Sequence, residues 1–210
     1  AKAAAAQIVA ARRAGDAEAL EKSTRWADVL QESYDHFHNI TVVNITTPAN
    51  VFHVLRRQVH RTFAKPLVFM SAKYLLHHRP CRSPLEHLSE GTRFVRVIEE
   101  TGAGDNMRDC FVGERQPKRI IFCAGKVFYE LWNARQAQKL QGEIALVRME
   151  QIAPFPSIRI ACCAMRHPEA EIMWVQEEPK NMGPWSYVAP RFASTLRTLC
   201  TAPNGGPDLR

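Results

Sequence analysis

Hydrophobic and polar residues at the start of the chain follow a helical pattern. An alanine-rich run predicts a helix over residues 2–14, because alanine has the highest helix propensity, and Gly15 and Asp16 interrupt it. Beyond this break, apolar side chains recur at helical spacing and form one stripe, which consists of Trp26, Val29, Leu30, Tyr34 and Phe37. The sequence leaves open whether this chain or a partner covers the stripe. It predicts a helical N-terminal extension over residues 1–38.

From residue 39 the pattern changes to short β-branched runs that alternate with helices. Residues 40–46 predict a buried strand, and Thr47 and Pro48 supply the cap and first-turn residue of a helix. Helical spacing in ANVFHVLRRQVHRTF directs apolar side chains to the core, namely Val51, Phe52, Leu55 and Val59, and basic ones to solvent, namely Arg56, Arg57 and Arg61. Residues 66–71 predict a second strand, which completes a right-handed βαβ unit.

A polar, proline-containing stretch over residues 77–84 predicts a boundary between two units. Ser83 and Glu86 have the spacing of a capping box for a short helix that Gly91 ends. The remaining pattern predicts strands at 94–98, 119–125, 143–149 and 171–176, helices at 126–140 and 157–166, and an irregular loop over 100–118. Strands that alternate with helices in this way predict an α/β fold with a doubly wound, mostly parallel sheet.

Composition and charge exclude some classes of protein and leave others open. Of the 210 residues, 46% are hydrophobic and 23% are charged, which is typical of a globular protein, and no apolar run is long enough to span a bilayer. The net charge of +7 and the pI near 9.3 favour acidic partners, and RNA stays open as one of them. The basic pairs lack interleaved aromatics, so solvated faces explain them better than RNA binding.

Several residues are candidates for chemistry or interfaces. Glu177 and Glu178 follow a predicted strand at the edge where open α/β sheets bind ligands, although a structural role is favoured. Lys126 follows a glycine at a predicted helix N-terminus, a place where anions can bind. Asn181 and Trp185 lie in the same segment as the glutamates, and Trp185 is predicted to be a packing anchor. With Arg56, Arg57 and Arg61, these residues form the predicted interface or regulatory set.

Six cysteines lack the spacing of a zinc site, and reduced thiols are expected. Cys123 lies in an apolar run and is predicted to be buried. Cys162 and Cys163 are adjacent on a predicted helix, which indicates that one is buried and the other reactive. A compartment with reduced thiols and the alanine- and arginine-rich start both favour the mitochondrial matrix.

Six blocks of sequence, in order, resemble the final third of the thiamine-dependent first component of the 2-oxoglutarate dehydrogenase complex. They are TPANVFHVLRRQV, KPLVFMSAKYLLHH, SPLEHLSEGTRFVRVI, IIFCAGKVFYEL, VRMEQIAPFP and WVQEEPKNMGPWSYVAPR. The resemblance implies a remnant of the pyrimidine-binding domain over residues 39–78 and a transketolase-like C-terminal domain over residues 79–210. The run KYLLHHR departs from the family pattern, which puts any anion contact there in doubt.

The resemblance also implies what this chain needs from elsewhere. The family uses thiamine diphosphate and magnesium, and the sequence shows neither the Gly-Asp-Gly stretch nor the catalytic histidines that hold and use them. We therefore expect that this chain holds no cofactor and has no catalytic activity by itself.

Two functions from different classes follow. The first is a non-catalytic accessory subunit of a large mitochondrial assembly such as a ribosome, a respiratory complex or the oxoacid dehydrogenase complex. The second is the C-terminal part of a split dehydrogenase component, active only with a chain that carries the diphosphate site. A regulatory module for acyl-coenzyme A or nucleotide rests on family analogy alone, and homodimerisation stays open.

Overall fold

The computed structural model describes residues 3, 6, 7, 10, 11, 14–99 and 117–199. Within these residues the helices are α1 (Ala17–Phe37), α2 (Pro48–His60), α3 (Val127–Ala137), α4 (Ser157–Arg166) and α5 (Trp185–Leu199). The strands are β1 (Thr41–Asn44), β2 (Leu67–Met70), β3 (Val97–Glu99), β4 (Arg119–Cys123), β5 (Ile144–Met149), β6 (Gln151–Ala153) and β7 (Glu171–Val175). Short 3-10 turns form at Lys73–Leu76 and Leu85–Leu88.

The strands form two sheets, not one. The first has the order β2-β1-β6, with β1 parallel to β2 and antiparallel to β6. The second has the order β3-β5-β4-β7, in which β4 is parallel to both neighbours and β3 is antiparallel to β5. The α/β class is confirmed, whereas the predicted doubly wound, mostly parallel sheet is not confirmed, because both sheets of the described residues contain parallel and antiparallel pairs. Only Glu150 separates β5 from β6, so no crossover helix fits there and one run of chain continues from one sheet into the other.

Helices cover both faces of the four-stranded sheet because its central strands alternate between two apolar cores. Ile120 and Phe122 pack with α4 and α5, where Phe192 lies with its ring centroid 4.9 Å from that of Phe122. Ile121 and Cys123 point to the other face and pack with α3. The predicted burial of Cys123 is confirmed, whereas α5 was not predicted at all. Pro190 inside α5 disguises its helical pattern.

The exposed and buried faces of α2 are nearly the reverse of the prediction. Leu55 and Val59 are 53% and 81% exposed, and Phe52 is also exposed. The helix buries Ala49, Asn50, His53 and Val54 instead, and the Arg61 side chain is only 6% exposed. The prediction was wrong because apolar spacing identifies a stripe on a helix but not the surface that covers it. In addition, hydrogen-bond acceptors elsewhere in the fold bind the arginine side chains.

The apolar stripe of α1 is likewise mostly uncovered in this chain. Trp26, Val29, Tyr34 and Phe37 are exposed, while the polar residues Gln31 and Asp35 are buried against the rest of the fold. The helix therefore packs on this chain through its polar side. The described part of the earlier alanine-rich segment is too small to test the helix predicted over residues 2–14.

Capping at α2 partly follows the prediction. The Thr47 side chain accepts a hydrogen bond from the Asn50 backbone N–H and Pro48 begins the helix, as predicted. The capping box at Ser83 is wrong, because the Ser83 hydroxyl accepts from the Ala49 backbone N–H at 3.0 Å and so serves α2.

Other boundaries also differ from the prediction. The strand expected at 94–98 forms at Val97–Glu99, and most of the loop expected over 100–118 lies outside the described residues. Cys162 and Cys163 are both 2% exposed, so the prediction that one of them is a reactive thiol is not supported by its accessibility.

Candidate functional site

A buried carboxylate joins the two sheets. Glu150 lies between β5 and β6 with no exposed surface. Its Oε2 accepts hydrogen bonds from the Thr46 backbone N–H and from Asn50 Nδ2, each at 3.0 Å, and its Oε1 accepts from the Thr46 hydroxyl at 2.5 Å. Glu150 thus fixes the residues that follow β1 and the first turn of α2.

Arg148 and Tyr129 complete this joint. Arg148 is 1% exposed, donates to the Thr46 hydroxyl at 3.2 Å, and stacks its guanidinium carbon 4.2 Å from the Phe128 ring centroid. The Tyr129 hydroxyl donates to the Thr46 carbonyl at 2.7 Å. Burial raises the pKa of Glu150 above its ordinary value, and the Arg148 charge and the donors from Asn50 and Thr46 oppose that rise without cancelling it.

A second buried cluster attaches α1 to the fold. Asp35 Oδ2 accepts from Arg61 at 2.8 Å and from Arg96 at 3.0 Å. Its Oδ1 accepts from Gln31 at 3.2 Å and from Gln151 at 3.5 Å. Residues from α1, α2, the approach to β3 and the start of β6 therefore meet at one carboxylate.

The structure brings together only some of the predicted site residues. Lys126 Nζ lies 2.6 Å from Glu177 Oε1 and 3.6 Å from Glu130 Oε1. The hydrogen bond to Glu177 raises the pKa of Lys126, which moves this amine further from neutrality. The pair is therefore suited to linking the α3 N-terminus to the segment after β7, not to proton transfer near pH 7. Glu178 does not join it.

The segment after β7 is organised by Gln176, which the sequence analysis did not single out. Gln176 Nε2 donates to the carbonyls of Glu178 and Met182 at 3.1 and 2.9 Å, and its Oε1 accepts from Trp174 Nε1 at 3.0 Å. A Cβ at Gly183, whose φ is +65°, would lie 2.8 Å from a Glu178 carboxylate oxygen. The turn thus requires glycine and uses Glu178 as a packing group.

The other two candidates of this segment lie apart from the ion pair. Asn181 is exposed, and Trp185 is partly buried against the main core. Packing explains Trp185 as predicted, and the described contacts give Asn181 no ligand role.

The predicted arginines separate into different environments. Arg61 belongs to the Asp35 cluster, Arg57 Nη2 donates to Gln151 Oε1 at 2.9 Å, and Arg56 donates to the Thr92 carbonyl. Burial, followed by the nearby charges of Arg96 and Arg61, lowers the pKa of Arg57 to about 9.

Neither Glu150, Arg148 nor the Asp35 cluster was found from the sequence. The signal that could have found Glu150 and Arg148 is their position inside the apolar run ALVRMEQIA, where ionisable residues need buried partners.

The described residues do not fit the magnesium and diphosphate group that the family resemblance implies. The buried carboxylates of Asp35 and Glu150 already accept bonds from arginine, threonine, asparagine and glutamine donors. Over 14–99 and 117–199, no three His, Cys, Asp or Glu side chains come together as metal ligands. In the same residues no helix has the length and apolar character needed to cross a bilayer.

Comparison with known proteins identifies the family. The family described as 2-oxoglutarate dehydrogenase C-terminal matches residues 82–205, which is more than half of the chain. The chain is 47% identical over 162 residues to "2-oxoglutarate dehydrogenase, mitochondrial" of Caenorhabditis elegans, covering 77% of this chain and 15% of that protein. It is 43% identical over 182 residues to "2-oxoglutarate dehydrogenase-like, mitochondrial" of Pongo abelii, covering 87% and 17%.

A third relative is named for a different oxoacid. The chain is 43% identical over 155 residues to "Probable 2-oxoadipate dehydrogenase complex component E1 homolog" of Dictyostelium discoideum, covering 73% of this chain and 16% of that protein. The chain thus spans between 15% and 17% of the length of these relatives. Because the family match covers more than half of the chain, this chain belongs to the 2-oxoglutarate dehydrogenase C-terminal family.

Proposed function

We propose that this chain acts as a non-catalytic, structural region of a larger mitochondrial assembly of the 2-oxoglutarate dehydrogenase type. The joint at Glu150 carries the proposal. Its carboxylate, fully buried, holds the end of β1 and the start of α2 against the β5–β6 run. A carboxylate that already accepts three hydrogen bonds is committed to structure, so this joint builds a rigid unit on which a neighbour can rest.

Exposed apolar side chains on α1 and α2 support the presence of a neighbour. Phe37 and Val59 are 80% and 81% exposed, and Leu55 is 53% exposed. Uncovered apolar side chains of this size on adjacent helices are typical of surfaces that another protein covers.

Two arrangements differ in the identity of this neighbour. In the first arrangement, the neighbour is the polypeptide that carries the thiamine diphosphate site of the dehydrogenase. The family match supports this arrangement.

A second arrangement makes the chain an accessory subunit of another mitochondrial assembly, such as a ribosome or a respiratory complex. The observation that favours it is the surplus of basic residues, which gives a net charge of +7 and suits acidic neighbours or RNA. In both arrangements the chain acts in the matrix with other subunits and does not turn over an oxoacid by itself.

Isolation of the native protein under gentle conditions separates these arrangements. We expect the chain in a particle that contains a longer polypeptide and stoichiometric thiamine diphosphate, both measured by mass spectrometry. A particle without that cofactor supports the accessory arrangement instead. Recovery of the chain as a monomer with no other subunit bound would contradict the proposal.

A further inference from the structure

A cavity of about 530 Å3 lies between α1, α2 and the segment that leads into β3. Its lining residues are Val29, Glu32, His53, Arg56, Arg57, His60, Arg93, Phe94 and Arg96. The lining contains four arginines and one glutamate, and one of these arginines, Arg96, is ion-paired with Asp35 behind the wall. With Asp35 counted, the net charge is +2 when both histidines are neutral. A concave site with this excess of one charge attracts ions of the opposite sign.

Arg57 is the best-oriented cation of this basic cavity. Its guanidinium carbon lies 4.1 Å from the Phe94 ring centroid, and its Nη2 donates to Gln151. Its Nη1 is buried and has no hydrogen-bond partner. Ring stacking and one hydrogen bond thus fix the plane of the fork, while another donor stays available. Burial is the largest cause of the lowered pKa of Arg57, followed by the Arg96 and Arg61 charges, and the Asp35 and Glu32 charges oppose this lowering without cancelling it.

His53 supplies a further unused polar atom. It is 3% exposed, and its Nε2 lies 2.7 Å from the His87 carbonyl oxygen. A carbonyl can only accept, so Nε2 carries the hydrogen and donates. The buried Nδ1 has no hydrogen-bond partner.

We propose that the basic cavity binds a compact phosphate, either inorganic phosphate or a small phosphate monoester. Guanidinium forks recognise the planar spread of phosphate oxygens in pairs, and several arginines from different elements can contact one tetrahedral anion. The volume exceeds that of phosphate alone, which leaves room for an esterified group beside Val29 and Phe94. This site is separate from the Lys126–Glu177 pair and does not depend on the structural function proposed above.

Isothermal titration calorimetry of the 210-residue chain tests the proposal with three probes: inorganic phosphate, glycerol 3-phosphate and succinate. We expect saturable binding of at least one phosphate probe and weaker binding of succinate, because its two charges lie on separate carboxylates with two oxygens each, whereas phosphate places both charges on one tetrahedral group. Tighter binding of glycerol 3-phosphate than of inorganic phosphate would assign the site to an ester. Tighter binding of inorganic phosphate would assign it to the free anion.

Three variants locate the binding. Arg57→Gln should weaken phosphate at least tenfold, about 1.4 kcal/mol. Arg93→Gln removes an exposed arginine of the cavity and should weaken phosphate binding severalfold. This variant keeps the proposal testable if circular dichroism shows that Arg57→Gln does not fold. Arg82→Gln removes an exposed arginine that does not line the cavity and should leave affinity unchanged. Absence of saturable binding up to about 10 mM, or equal weakening by Arg82→Gln, overturns the proposal.

Discussion

Asp35 and Arg61 form a contact that attaches α1 to the rest of the fold. Asp35 Oδ2 lies 2.8 Å from Arg61 Nη2, and both side chains are almost fully buried. The same oxygen accepts from Arg96 at 3.0 Å, so one carboxylate faces two guanidinium groups. A buried carboxylate with two cationic partners is a strong local constraint, because each group would otherwise be buried without compensation.

Asp35→Ala should destabilise the protein by about 3–5 kcal/mol, since it leaves Arg61 and Arg96 buried without their acceptor. Urea denaturation followed by circular dichroism measures the effect. Glu18→Ala is the matched control, because Glu18 is an exposed acidic residue in the first turn of the same helix. Equal and small effects of the two substitutions would show that α1 does not dock through Asp35.

Glu150→Gln should change how stability depends on pH. The pKa of Glu150 is raised in the folded protein, so the native state binds this proton more tightly than the unfolded state does. The resulting stabilisation is complete below the unfolded pKa of about 4.3 and is lost as the pH rises through the higher folded pKa. The wild type should therefore lose stability relative to Glu150→Gln as the pH rises through that window.

Urea titrations at a series of pH values measure this difference. Glu169→Gln provides the control, because Glu169 is exposed and its substitution should leave the two curves parallel. Parallel curves for Glu150→Gln as well would mean that the carboxylate titrates normally in the folded protein.

Gly125→Ala should destabilise the protein by about 2–5 kcal/mol. Gly125 has a φ of +73°, which is unfavourable for alanine by about 1–2 kcal/mol. A Cβ there would also lie 2.7 Å from the Asn44 side-chain amide, an overlap that costs about 1–3 kcal/mol. Thermal denaturation measures the loss.

Two further variants separate these causes. Gly142→Ala should be nearly neutral, because nothing lies within 4 Å of the new Cβ. Asn44→Ala combined with Gly125→Ala should recover the part of the loss that is due to overlap. If the double variant is as unstable as the sum of the single variants, Asn44 does not limit the space at Gly125.

Ser83→Ala should cost about 0.5–2 kcal/mol, the usual range for loss of a helix N-terminal cap. The Ser83 hydroxyl accepts from the Ala49 backbone N–H and thus stabilises the start of α2. Glu86→Ala is the diagnostic control. It should be neutral, whereas a capping box between Ser83 and Glu86 would make both substitutions destabilising. Chemical denaturation of the two variants decides between these arrangements.

The sequence predicted elements that depend on local pattern. The α4 helix over residues 157–166, the cap at Thr47 and the apolar strand around Phe122 all follow from spacing and residue type. It did not predict which way the amphipathic helices face. On α1 and α2 the buried residues include Asp35 and Asn50, because ion pairs and hydrogen bonds to distant residues compensate their burial. Such partners are far apart in the chain, so periodicity carries no information about them.

The candidate site was predicted less well than the fold, for a related reason. The segment after β7 was recognised from its carboxylates, yet Gln176 and Gly183 set its shape through backbone contacts. Glu150 was missed because the predicted strand ended at residue 149 and the strand β6 that follows was not predicted. The division at residues 39–78 and 79–210 stays a prediction. Since β6 pairs with β1, the sheet of the first segment contains a strand from the second.

The decarboxylation of 2-oxoglutarate tests the central claim most directly. The rate is measured, with thiamine diphosphate and magnesium present, for three samples: this chain alone, a dehydrogenase first component that lacks its own C-terminal region, and their mixture. The proposed structural role predicts no turnover by this chain alone and a rate for the mixture well above that of the truncated component. Turnover by this chain alone would contradict the claim, and a mixture no faster than the truncated component would contradict its role in the dehydrogenase.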